Sequence, residues 1–323
     1  MIFRIPWFGM HSFVPALSGV LISFFATLIL MKVFADRLPH DQGRAFAVEG
    51  TLSKGKVRGA GIVFVLVFVA TVFLYDHIDT EKIVYLVVIT ACMLSGFFDD
   101  KAEKPWNEYL KGALDLLLGT AVAAAYLIWH GNSFMILPPW GVSIRIPYGL
   151  AAILIIALVW VSINVTNCTD GVDGLSATLT IITLGAFWLL ETRTGGAENS
   201  LFITYFITVL VAYLWYNANP SSMLMGDAGS RAMGMMIAIT ALLSGYVLLY
   251  IPFAIVMILD GGLGLVKVAL LRFLKIKILV NVRCPLHDQA RKVMEWSNTQ
   301  VVFRFAIIQI MAAMPFVWLF LTE

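Results

Sequence analysis

The sequence predicts an all-α polytopic membrane protein of about ten transmembrane helices, with its polar constellations in a cytoplasmic cleft and a short extracytoplasmic hairpin. Three observations carry the prediction. Of 323 residues, 60% are hydrophobic and 13% charged, and the mean hydropathy is +0.88; soluble domains average about 45–50% apolar and 25% charged residues. Apolar runs approaching the ~20 residues that a helix needs to cross hydrocarbon recur along the chain. The conspicuous polar strings stand at the ends of these runs rather than in their middles. No separate soluble domain is visible, so residues 1–323 read as a single integral membrane domain.

The runs fall at roughly 13–35, 60–75, 83–98, 110–129, 148–163, 174–190, 200–216, 232–247, 250–271 and 301–321. The first follows Arg4, as in a secretory signal, but it is too long for an h-region and lacks a small-residue cleavage site, so it reads as the first membrane helix. Several others are short, and the stretch from Gly245 to Pro252 is where two runs are most easily miscounted. Between the fourth and fifth runs, Ser133 to Pro147 contains Pro138-Pro139-Trp140-Gly141 and the alternation Val142-Ser143-Ile144-Arg145-Ile146, which predicts a hairpin. Ten spans return both termini to one side. Of the 22 lysines and arginines, 18 fall on the first, third, fifth, seventh and ninth connections or the span ends beside them, leaving Arg4, Lys82, Arg145 and Arg193 opposite. The positive-inside rule then puts the termini outside and those five connections in the cytoplasm. The last of them, Arg272 to Gln300, mixes Ile276, Ile278, Leu279 and Val280 with lysines, and suits the membrane interface beside a lipid substrate.

Composition also excludes. A net charge of +2 is too small to argue for nucleic acid. Cys92, Cys168 and Cys284 have neither disulfide-framework nor zinc spacing. The absence of an evident internal repeat, with carboxylates at span ends rather than midplane, weighs against a cation-coupled transporter. The two Asn-x-Thr sequons at Asn164 and Asn167 lie on the predicted inner face, where glycosylation does not occur.

The five inner connections hold the chemistry. Asn164-Val165-Thr166-Asn167-Cys168-Thr169-Asp170-Gly171-Val172-Asp173-Gly174 sets carboxylates, carboxamides and hydroxyls beside two glycines; Asp99-Asp100 and Asp227, in Met225-Gly226-Asp227-Ala228-Gly229-Ser230, end similar apolar runs. Such groups cost free energy beside a membrane unless solvated, paired or ligating. Carboxylates without a Cys/His cluster suit Mg2+ or Mn2+ rather than zinc, and Mg2+ beside basic loops points to diphosphate chemistry. Each element also has a plainer reading. Asp99-Asp100 is then a solvated helix end, although helix C-termini disfavour acids. Asp173 and Asp227 then cap helices, His287 is a surface histidine, and Lys54, Lys56 and Arg58 serve topology.

Gly96-Phe97-Phe98-Asp99-Asp100, the Asn164–Gly174 string with Leu175, Asn217-Ala218-x-Pro220 and Met225-Gly226-Asp227-x-Gly229-Ser230 closely resemble the motifs of the polyprenyl-phosphate N-acetylhexosamine-1-phosphate transferases, in that family's order and across nearly the whole chain. Length, span count and Pro285-Leu286-His287 most resemble the branch acting on UDP-MurNAc-pentapeptide. The resemblance implies a bacterial plasma-membrane enzyme, with its active site facing the cytoplasm, that gives lipid I and UMP from UDP-MurNAc-pentapeptide and undecaprenyl phosphate, requires Mg2+ and forms a homodimer. It implies that Asp227 ligates the metal, that Asp99 acts on the lipid phosphate, as base or, in a two-step scheme, as nucleophile, with support from Asp100, and that Asn167, Asp170 and Asp173, with Asn164 alongside, organise nucleotide and diphosphate. Gly171 and Asn217 would then contact uridine, Lys54 or Lys56 the nucleotide or its phosphates, and His287 the sugar side.

Three positions depart from the family's pattern. The branch has three consecutive histidines where this chain has His287-Asp288-Gln289, so only His287 carries over. Gly55-Lys56-Val57-Arg58 replaces a Gly-Thr-Pro-Thr string, and Leu224 replaces a Phe. The nearest alternative is a UDP-GlcNAc transferase that starts teichoic acid or O-antigen synthesis, because the core motifs are shared.

Overall fold

The computed structural model describes residues 13–41, 43, 53–102, 104, 106–135, 142–194 and 197–322. Four helices come first: α1 (Phe13–Phe34), α2 (Gly61–Tyr75), α3 (Thr80–Lys101) and α4 (Glu108–Trp129). The expected hairpin follows, with Ser133–Met135 paired antiparallel to Ser143–Arg145 as β1 and β2. Its tip, Pro138 to Gly141, lies outside the described residues, as do Arg4 and Arg44 of the charge count. Four more helices complete the main bundle: α5 (Tyr148–Thr169), α6 (Leu175–Thr194), α7 (Ala197–Asn217) and α8 (Gly226–Leu243).

A bent element comes next. A 3-10 turn, Val247–Leu249, leads into α9 (Tyr250–Phe253); after a break at Ala254 the chain runs through α10 (Ile255–Met257), a π-turn (Ile258–Gly262), α11 (Leu263–Ala269) and a second π-turn (Leu270–Leu274). The two halves meet at 69°. Pro252, lacking an N–H, weakens the helix just before the break. The freed backbone groups are met by side chains: Gln309 Oε1 accepts from the Val256 amide at 2.9 Å, Gln309 Nε2 donates to the Phe253 carbonyl, and Thr183 Oγ1 donates to that same carbonyl at 2.7 Å. A membrane tolerates such a break only where protein groups replace the missing bonds. The short α12 (Leu286–Lys292) and the long α13 (Asn298–Thr322) end the chain.

A helical segment stands at each of the ten expected runs, but the count of ten is not reached by length and apolarity. Among the described residues seven helices are long and apolar enough to cross a membrane, or eight with the bent pair as one span. The helix α2 has only 15 residues, and α8 carries Asp227 and Arg231 near its start.

The helix α8 is the axis of the bundle. From Ala228 to Leu242 every residue is buried, and the packing has almost no space between backbones. A Cβ on Gly61 of α2 would lie 2.1 Å from the Gly229 nitrogen, one on Gly96 of α3 2.3 Å from the Asp227 carbonyl oxygen, and one on Gly234 of α8 itself 2.5 Å from the Ser162 carbonyl of α5. Between membrane helices, which gain little from hydrophobic burial against each other, such small-residue contacts supply the dispersion that holds them together. Away from α8, Phe64 and Phe68 of α2 interlock with Phe202 and Phe206 of α7 at ring-centroid distances of 4.9–6.4 Å.

Candidate active site

The glycine contacts set the end of α3 against the start of α8, and the three acids converge there. Asp99 and Asp100 occupy the last turn of α3 and Asp227 the first turn of α8. Three gathered carboxylates repel one another unless protons or cations offset their charge, and two basic side chains bridge them. Lys111, in the first turn of α4, pairs with Asp99 and stands 3.4 Å from Asp227 Oδ2. Arg58, from the loop between α1 and α2, binds Asp100 Oδ1 through Nε at 2.8 Å and Nη2 at 2.7 Å, reaches Asp41 at 3.0 Å, and stands 3.6 Å from Asp227 Oδ1. Burial works against the Arg58 charge, but Asp100 and Asp227 outweigh it and raise its pKa above the usual arginine value.

Backbone donors fix the acids further. Asp99 accepts from the Trp106 amide at 2.7 Å and Asp100 from the Ala228 amide at 3.3 Å. Gly226 turns the chain into α8 at φ +67, and a Cβ there would lie 2.1 Å from Asp100 Oδ2, so this position needs glycine on both counts.

The Asn164–Gly174 string forms an adjoining wall. Asp173 accepts from the Ser221 amide at 2.9 Å, and Lys56 reaches Asp173 at 3.7 Å and Ser221 Oγ at 2.9 Å. Asn217 accepts from the Gly174 amide and donates to the Met223 carbonyl, both at 2.9 Å, joining the loops that follow α5 and α7. Asn167 donates to Ser230 Oγ at 2.9 Å, and the Asp170 amide caps α5 on the Asn167 carbonyl at 3.2 Å. The segment around Val57 pairs backbone with His40 and Met223 in strand-like fashion. Lys56 and Arg58, two residues apart, therefore project to one side, each toward a different acid. Lys54 is exposed in the same loop, outside that ion-pair network. Asn164 also stands apart: its amide donates to Asp115 at 3.1 Å and to the Trp160 carbonyl at 2.8 Å.

His287 is 2% exposed rather than on the surface. Its Nδ1 meets Asp260 Oδ2 at 2.8 Å, and a Cβ on Gly171 would lie 2.2 Å from its Nε2, which places the ring directly over the string. Its neighbours hold the backbone: Asp288 accepts from Arg291 at 2.8 Å, Arg291 donates to the Gly171 carbonyl at 3.1 Å, and Gln289 accepts from the Arg283 amide at 2.8 Å. All five connections of the cation-rich face thus meet in one cleft.

Sequence reasoning gave Arg58, Lys111 and Arg231 only a topological part and passed over Asp115 and Asp260. Each had a signal. Lys111 is a cation in the first turn of a helix, where the dipole disfavours it. Asp115 and Asp260 are ionisable residues inside apolar runs and Arg231 stands at the edge of one, and each calls for a partner. Arg231 pairs with Asp115 at 2.5 Å, one turn into α8 beyond Asp227.

The three acids of the cluster offer carboxylate oxygens, and an oxygen donor set suits Mg2+, which takes one or two carboxylates and leaves other positions to phosphates and water. Among the described residues no three His, Cys, Asp or Glu side chains are grouped to hold a metal ion alone. Asp227, with its two cations at 3.4 and 3.6 Å, fits a ligand shared with a phosphate-bearing substrate.

A polytopic helical protein with a cleft of carboxylates and cations at one end of the bundle is the class these observations define. The sequence profile described as glycosyl transferase family 4 matches residues 82–245. The phospho-N-acetylmuramoyl-pentapeptide-transferase of Treponema pallidum (strain Nichols) is 38% identical over 304 residues, which are 88% of this chain and 84% of the relative. Relatives of the same name from Geobacillus sp. (strain WCH70) and Clostridium perfringens (strain 13 / Type A) are 28% and 26% identical, covering 92% and 90% of this chain and 95% and 94% of their own. The chain belongs to glycosyl transferase family 4, in the branch of the phospho-N-acetylmuramoyl-pentapeptide-transferases.

Proposed function

We propose that this chain transfers phospho-MurNAc-pentapeptide from UDP-MurNAc-pentapeptide to undecaprenyl phosphate, forming lipid I and UMP for peptidoglycan synthesis in a bacterial plasma membrane. The observation that carries the chemistry is the three-acid cluster bridged by Lys111 and Arg58, which pairs proton acceptors with cations as phosphoryl transfer from a diphosphate requires. The relatives' names carry the choice of sugar nucleotide.

Asp99, held by Lys111 and the Trp106 amide, receives the proton of the lipid phosphate, whose oxygen attacks the β-phosphate while the bond to the α-phosphate breaks and UMP leaves. Lys111 and Arg58 offset charge on the phosphates, and Asp100 fixes Arg58 and the α3–α8 junction. Asn167, Asp170, Asp173 and Lys56 line the nucleotide side with Gly171 and Asn217. Asp227 would hold Mg2+ together with the substrate phosphates, where the ion supplies Lewis-acid stabilisation of the diphosphate. The distribution of Lys and Arg supports a cleft that faces the cytoplasm, the composition supports a single membrane domain, and the family resemblance supports a homodimer.

The purified protein, given undecaprenyl phosphate with either UDP-MurNAc-pentapeptide or UDP-GlcNAc, should release UMP and form a lipid-linked product only with the first. A product from UDP-GlcNAc alone overturns the assignment. Omitting divalent cation should stop turnover and adding Mg2+ should restore it.

A further inference from the structure

The buried pair of Asp260 and His287 lies against the Asn164–Gly174 string, and its geometry is more specific than joining two segments requires. Asp260 is fully buried, and all of its hydrogen bonds among the described residues go to His287: Oδ1 accepts the His287 amide at 2.7 Å, and both oxygens face Nδ1, at 3.1 and 2.8 Å. A carboxylate only accepts, so Nδ1 carries the proton, and Nε2 is the ring nitrogen that Asp260 does not hold; its nearest carboxylate is Asp288 Oδ1 at 3.7 Å, beyond hydrogen-bond distance. Nε2 faces Gly171, an exposed residue of the site's own string, where a side chain would collide at 2.2 Å. The missing side chain at Gly171 is what lets the Nε2 edge of the ring lie directly against the string that walls the site.

The backbone under Asp260 is built to the same end. The π-turn Ile258–Gly262 shifts the helix register there, a device frequent at functional sites. Gly261 lies flush on α5, where a Cβ would be 2.6 Å from the Val165 carbonyl oxygen, so the carboxylate stands on a rigid platform.

We propose that Asp260 is a positioning residue for the transfer: it fixes the tautomer and tilt of His287 so that Nε2 meets the sugar-diphosphate over Gly171. The inference rests on the proposed function and adds a residue to it. The contact strengthens as charge moves onto the phosphates, so its loss appears in turnover more than in binding.

Asp260→Asn should lower kcat on the order of 100-fold with KM for the sugar nucleotide changed less than about threefold, and Asp260→Glu should recover part of the loss. Because Asp260 acts through His287, adding Asp260→Asn to His287→Gln should cost less than about twofold more. Full multiplicative loss in the double variant overturns the proposal. A measurement on the unaltered protein stands independent of variant folding: the 15N resonances of His287, assigned by their absence in His287→Gln or by their contact with Gly171, should show a protonated Nδ1. A bare Nδ1 with a protonated Nε2 overturns it. If UDP-GlcNAc proves the substrate, the proposed function fails, while the same cycle run with that sugar still decides the role of Asp260.

Discussion

Asp227 and Lys111 are the residues on which the transfer chemistry is most exposed to test. Asp227→Asn keeps shape and removes charge, and should lower UMP release on the order of 100- to 1,000-fold while leaving the thermal unfolding midpoint within a few degrees; full retained activity in a continuous UMP assay contradicts the assigned role. Gly171→Ala tests steric design instead, because its Cβ would lie 2.2 Å from His287 Nε2. It should cost activity comparable to His287→Gln, with little effect on solubility or folding. At this scale the sequence was legible where residue type was unusual for its surroundings: Asp99, Asp100, Asp227 and Asn167 all lie in or beside the cleft. It was less legible where a residue's task depends on distance. Nothing in Gly55-Lys56-Val57-Arg58 says that Lys56 reaches Asp173 while Arg58 reaches Asp100, and Asn164 resembles its neighbours yet bonds to Asp115.

The loop before α2 and the bent segment after α8 are the elements whose stability is most specific. In the loop, burial would raise the Asp41 carboxyl, but hydrogen bonds from Ser53 and Arg58 and the Arg58 charge outweigh it, and its pKa lies below the usual value. A carboxylate depressed in the folded state stabilises above its unfolded value of about 3.9, and that contribution disappears as pH falls through the lower folded value. Hydrogen-exchange protection of the Gly55 and Asp41 amides, which bond to Asp41 and Lys56, should therefore hold at pH 5 and collapse as pH falls below about 4. Ser53→Ala should move the collapse to higher pH. In the bent segment, Gln309→Leu strips the Val256 amide of its side-chain partner and leaves the Phe253 carbonyl to Thr183 alone, and should cost about 1–3 kcal/mol, seen as a lower unfolding midpoint in detergent. The broken helix was only half legible: Gly245 and Pro252 mark trouble, but the partners that repair the break, Gln309 on α13 and Thr183 on α6, are both far from it in sequence.

For the whole molecule, hydropathy was enough to place ten helical segments, because length and apolarity are local properties. It could not rank them: α8 reads as an ordinary span, yet it is the one the others surround. Gly96→Ala tests that arrangement. The new methyl would sit 2.3 Å from the Asp227 carbonyl oxygen, so α3 must retreat and carry Asp99 and Asp100 away from Asp227. Both UMP release, by more than about tenfold, and the unfolding midpoint should fall together. The glycine contacts along α8 also bear on how the enzyme can move. Machines that carry cargo across a bilayer need one half to swing past the other, and swinging needs a joint with slack. Here the axle is seized: α2, α3 and α5 touch α8 backbone to backbone, so the acids they carry form a fixed anvil. Motion during turnover then belongs to the periphery, where the bent segment and the chain beyond it up to α12 expose Phe273, Leu274, Ile276 and Val280, and the reactants must be delivered to the anvil rather than the anvil to them.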